Sequence, residues 1–85
     1  MKTLTTQIQL QAIVNQIEPE TAIEYLELNI ARNTGLISSD EYAETLWMVT
    51  ASVADTEEQW KQHQEFSQLV TTLVNEYYLS FMTLD

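Results

Sequence analysis

Ile30-Ala31-Arg32-Asn33-Thr34-Gly35-Leu36-Ile37-Ser38-Ser39-Asp40-Glu41 is the stretch that decides the fold. Gly35 is the only glycine in the chain. It follows a helical apolar stripe, Ile23, Leu26 and Ile30, and stands where a left-handed residue would end a helix. Three residues on, Ser38 and Glu41 have the spacing of a capping box, and Ile37 with Tyr42 has that of a hydrophobic staple. The stretch therefore predicts a helical hairpin with its turn at Asn33–Ser38. It also has the outline of an EF-hand loop, with Gly at position six, Ile at eight and Glu at twelve. The ligand positions one, three and five are Ile30, Arg32 and Thr34, which supply no carboxylate, and Arg32 places a positive charge in the ion site. The Gly-capped hairpin accounts for every matching residue, and no metal site is expected.

Working outward, Pro19 suits the first turn of a helix running to about Asn33, and Glu20 suits its dipole. Tyr25 and Leu28 fall off the inner stripe, which suggests a second apolar contact for this helix. A preceding block runs from about Leu4 to Ile17. Thr6 with Gln9 could cap it, and Leu10, Ile13, Val14 and Ile17 would form its inner face. After Ser38, Tyr42, Leu46, Val49 and Val53 keep helical spacing. A last block begins near Asp55 or Thr56, capped by Asp55 with Glu58 or by Thr56 with Gln59. Phe66, Val70, Leu73, Tyr77 and Phe81 carry its stripe to the end. No Gly or Pro separates the last two blocks, so one long, bent helix is the alternative. Residues 66–84 carry one charge, Glu76, which predicts a central helix contacted on more than one side. One Gly and one Pro are too few for a multi-turn β-protein. The expected fold is all-α: a single domain over 1–85, a small bundle of three or four helices.

The chain has 85 residues with 13 acidic and three basic side chains, a formal net charge of −10. Residues 18–58 hold nearly all of the negative charge. The basic residues Lys2, Arg32 and Lys61 are scattered, which argues against direct contact with nucleic acid or an anionic lipid surface. No apolar run is long enough to cross a membrane. There is no Cys, so neither disulfides nor thiolate metal sites hold the fold. A reducing, cytoplasmic setting is expected.

No catalytic constellation emerges. His63 is the only His; Glu65 would point to another face of its helix, and position 60, where a di-iron bundle would carry Glu, is Trp60. A partly exposed helical His is expected, with no cofactor. Two surfaces remain as candidates. The first is acidic: Glu20, Glu24 and Glu27, then Asp40, Glu41 and Glu44, which a helical hairpin would bring partly onto one side. Glu20, Glu24 and Glu27 advance along one helix edge in steps of about 6 Å. That is near the spacing of successive phosphates, so mimicry of DNA is geometrically feasible. The second is apolar: Tyr77, Tyr78, Phe81 and Met82, which cover more of a helix than one buried stripe needs.

No enzyme signature is present. The composition favours a small acidic inhibitor that binds a protein partner and blocks its basic, nucleic-acid-binding groove. Small phage proteins of the anti-restriction and anti-CRISPR type act in this general way, an analogy of class rather than of sequence. The alternative is a helical adaptor or regulatory subunit that binds a partner, or itself as a homodimer, through the apolar C-terminal helix.

Overall fold

The computed structural model describes residues 3–82, with side chains described through Leu79. It is all-helical, a compact bundle of α1 (Leu4–Val14), α2 (Pro19–Asn33), α3 (Ser39–Val53) and α4 (Glu57–Met82). Each helix end has a local cause. Thr3 caps α1, its Oγ1 accepting from the Thr6 N–H at 3.1 Å. Pro19 opens α2. Ser38 and Glu41 form the full capping box of α3. Thr56 and Gln59 cap α4 reciprocally at 3.2 Å each way. The chain breaks between α3 and α4 at Ala54, which is extended (φ −103°, ψ 117°). The two are separate helices, and the capping box is what restarts the second one.

Both hairpin turns after α1 and α2 are Schellman motifs. After α2, Gly35 (φ +80°) donates to the Arg32 carbonyl, and Leu36 donates to the Ala31 carbonyl. After α1 the same pair of bonds recurs: Gln16 donates to Ile13 and Ile17 to Ala12. Here Gln16 takes the left-handed position at φ +59°. α1 therefore stops at Val14, and Ile17 is buried beyond the turn rather than on the helix.

The core joins Leu4, Ile8, Ala12 and Ile17 to Ala22, Tyr25 and Leu26 of α2 and to Phe66, Val70 and Val74 of α4. α2 and α4 each pack against all three other helices, while α1 and α3 flank them. α4 is thus central, as its sparse charge predicted, but it shares that place with α2.

Two sequence expectations are corrected here. Leu10, Ile13 and Val14 face outward, the last two about three-quarters exposed. Leu4, Ile8 and Ala12 form the inner face instead. At 100° per residue the two sets lie on opposite sides of α1, so periodicity alone fitted either. In α2, Tyr25 and Asn29 are fully buried, while Ile23 and Ile30 only pack against the core's edge. The molecule measures 46 × 29 × 17 Å. Every helix keeps an exposed face, and the hollows flanking α2 are open to solvent.

Candidate functional site

Glu20, Glu24 and Glu27 are exposed and lie along one edge of α2. That edge is a ridge between two shallow grooves. On the α1 side, Glu20, Glu24 and Glu27 line a hollow with Gln9, Pro19 and Ile23. On the α3 side, Glu24 and Glu27 rim an open groove of about 370 Å³ whose other walls are Leu28, Ala31, Ile37, Thr45 and Val49.

Arg32, the one cation within residues 18–58, is directed to the interior side of α2. Its guanidinium lies 4.0 Å from the centroid of the Tyr42 ring, and its Nη2 donates to Asn29 Oδ1 at 3.2 Å. That cation–π placement and hydrogen bond give it partners other than the ridge carboxylates.

Asp40, Glu41 and Glu44 are also exposed, at the start of α3. None of them lines either groove flanking the ridge. Glu41 is engaged in the capping box. The expected acidic residues are thus all exposed, and the α2 ridge is the part that borders both hollows.

The apolar C-terminal candidates divide. Tyr78 is half-buried and packs against the core, with Tyr77 edge-on to it at 5.8 Å between centroids. Tyr77 is 40% exposed and Leu79 57%. The Phe81 and Met82 side chains lie outside the described residues. Sequence reasoning missed the outward stripe of α1, Leu10, Ile13 and Val14, because it assigned those residues to the core. It also missed Trp47, which is exposed and tilted against Trp60 of α4 at 6.1 Å.

His63 is buried, not partly exposed. Its Nδ1 lies 2.9 Å from the Tyr25 hydroxyl, which also lies 2.9 Å from Thr50 Oγ1. Thr50 donates to the Leu46 carbonyl at 2.9 Å. One proton arrangement satisfies all three contacts at once: Thr50 donates to Leu46, Tyr25 to Thr50, and a neutral His63 protonated on Nδ1 to Tyr25. Burial holds the His63 pKa below its ordinary value. Burial likewise raises the Tyr25 phenol, so it stays neutral.

A second buried knot centres on Asn29. Its Oδ1 accepts from Thr71 at 2.8 Å, Arg32 at 3.2 Å and Tyr42 at 3.4 Å. The two knots pin α2, α3 and α4 in one register. Among the described residues, no buried side-chain polar atom lacks a hydrogen-bond partner. Thr50 also lines a shallow open hollow with Leu46, Gln64, Ser67 and Gln68, while Tyr25 and His63 lie buried behind it; the His63–Tyr25–Thr50 chain joins three helices as an internal strut.

Among the described residues, no group of three or more His, Cys, Asp or Glu side chains could hold a metal ion, and no helix is long and apolar enough to cross a membrane. Comparison with known protein families, curated proteins and solved structures finds no match to this chain.

Proposed function

We propose that this chain is a small acidic protein-binding protein that covers a basic, nucleic-acid-binding surface on a partner and thereby inhibits it. The Glu20, Glu24 and Glu27 ridge is the contact, with its carboxylates standing where phosphates would lie. One observation carries this reading: the ridge is exposed while Arg32 is engaged by Tyr42 and Asn29. An unneutralised ridge speeds encounter with a basic cleft and sets orientation. It also works against the fold, because like charges at i,i+3 and i,i+4 destabilise a helix by a few tenths of a kcal/mol per pair. A role in binding accounts for a feature that folding disfavours.

The test begins with capture of partners from the source cell on the immobilised chain. Affinity for the captured partner is then measured at 20 and 300 mM salt with the parent and with Glu20→Gln, Glu24→Gln, Glu27→Gln combined. The parent should weaken steeply with salt, and the variant should already be weak at low salt. Equal binding of parent and variant at 20 mM salt would remove the ridge from the contact.

A second reading, an adaptor or a homodimer formed through apolar helix faces, is favoured by the outward stripe Leu10, Ile13 and Val14 and by exposed Tyr77 and Leu79. α1 carries no charged residue, so two copies of a −10 chain could approach there with the least repulsion. Sedimentation at tens of micromolar separates the readings: a species above 9.8 kDa that is lost in Ile13→Ser, Val14→Ser supports this one.

A further inference from the structure

We infer that the groove between α2 and α3 docks a basic amphipathic segment of the partner protein, one that inserts an apolar side chain between Lys or Arg residues. The inference rests on the acidic-ridge reading and adds the chemistry of what the ridge binds. The floor is apolar: Leu28 and Ala31 come from α2, Ile37 from the Gly35 turn and Val49 from α3. All four are half-buried, so folding leaves part of their surface in contact with water. The rim on the α2 side is Glu24 and Glu27, both exposed.

These two features select one kind of occupant by charge complementarity. Phosphates and anionic headgroups are repelled by the rim. A second copy of this chain, at −10, is repelled as well. A basic surface without an apolar anchor would meet the rim and leave the floor wet. A segment with an apolar residue flanked by Lys or Arg satisfies both parts at once, the mode of an amphipathic helix in a groove.

The groove is also held in shape. On their core sides α2 and α3 are tied by Tyr25 to Thr50 at 2.9 Å and by Tyr42 to Asn29 at 3.4 Å. At one end the Gly35 turn fixes where Ile37 emerges. A preformed groove lowers the ordering cost of binding.

The test uses a random 12-residue peptide library displayed on phage and selected against the intact chain at 150 mM salt. Synthetic copies of enriched peptides are then titrated by fluorescence anisotropy. Enriched peptides should combine a large apolar residue with two or more Lys or Arg, and should shift the methyl NMR signals of Leu28, Ile37 and Val49. Thr45→Phe, an exposed site, fills the groove without changing charge and should weaken binding at least tenfold. Glu24→Gln with Glu27→Gln should weaken it at least fivefold at low salt. Peptides that lose affinity on the Gln changes, but neither feel Thr45→Phe nor move those methyl signals, overturn the groove and leave the ridge standing. Peptides indifferent to the Gln changes overturn both. A selection that enriches no basic-apolar sequence overturns the groove proposal. The methyl mapping is made on the parent chain, so the result does not depend on how the Phe variant folds.

Discussion

Tyr25 of α2 and His63 of α4 meet inside the bundle, hydroxyl to Nδ1 at 2.9 Å, with rings edge-on and centroids 5.9 Å apart. The phenol bridges His63 to Thr50 and so connects three helices through one oxygen. Tyr25→Phe keeps the ring's packing and strands both the His63 N–H and the Thr50 oxygen. A loss of about 1–3 kcal/mol in urea unfolding is expected. An unchanged unfolding midpoint would show that the strut carries no stability.

The same pair sets a pH dependence. Burial lowers the folded His63 pKa below the unfolded value of about 6.5. Above that value the group is neutral in both states and costs nothing. As pH falls through it, the unfolded chain takes up a proton that the folded chain resists, so stability declines on acidification. Urea midpoints at pH 7.5 and 5.5 should show the decline in the parent and much less of it in His63→Gln, the chain having no other His.

Gln16 and Gly35 occupy equivalent positions in two Schellman turns, at φ +59° and +80°. A side chain in that conformation costs roughly 1 kcal/mol. Gln16→Gly should therefore stabilise by about 0.5–1 kcal/mol. Gly35→Val should destabilise by about 1–2 kcal/mol through backbone strain alone, since an added Cβ meets nothing within 4 Å. Thermal melts of the two variants should shift in opposite directions.

Asn29 accepts three hydrogen bonds from two neighbouring helices and its own. Asn29→Ala leaves the hydroxyls of Tyr42 and Thr71 to find other partners and opens a void. A cost of about 2–4 kcal/mol is expected, with α3 losing amide-exchange protection first. Tyr42 and Thr50 are the only buried residues of α3, which is why its docking depends on this knot and the Tyr25 strut.

Neutralising the ridge should help the fold while harming binding. Glu24→Gln, Glu27→Gln removes both like-charge contacts along α2 and keeps Glu20 at the positive end of the helix dipole, a gain of about 0.5–1 kcal/mol at low salt. For a domain of this size that is a rise of a few degrees in melting temperature. The rise should vanish in 1 M salt, where charges separated by more than about 3 Å are screened.

What the sequence determined by itself was local. Gly35, the Ser38–Glu41 box and Pro19 set helix boundaries through backbone geometry and hydrogen bonds within a few residues of each other, and these are where the structure puts them. The Thr56–Gln59 cap was among the alternatives read from sequence, and its formation is what separates α3 from α4. What only the tertiary structure decided was which face goes inside. α1 has apolar residues on both sides, so its own pattern could not choose between Leu10, Ile13, Val14 and Leu4, Ile8, Ala12. The choice fell to the surfaces of α2 and α4 that it packs against. Tyr25 falls off the apolar stripe of α2 and His63 is expected partly exposed, while Asn29 and Thr50, being polar, carry no sequence signal of burial. Burial became affordable only once partners 13 to 42 positions away satisfied their polar atoms. The acidic ridge was legible from i, i+4, i+7 spacing. Which hollows that ridge borders was not, because the placement of α1 and α3 against α2 is set by contacts between residues far apart in the chain.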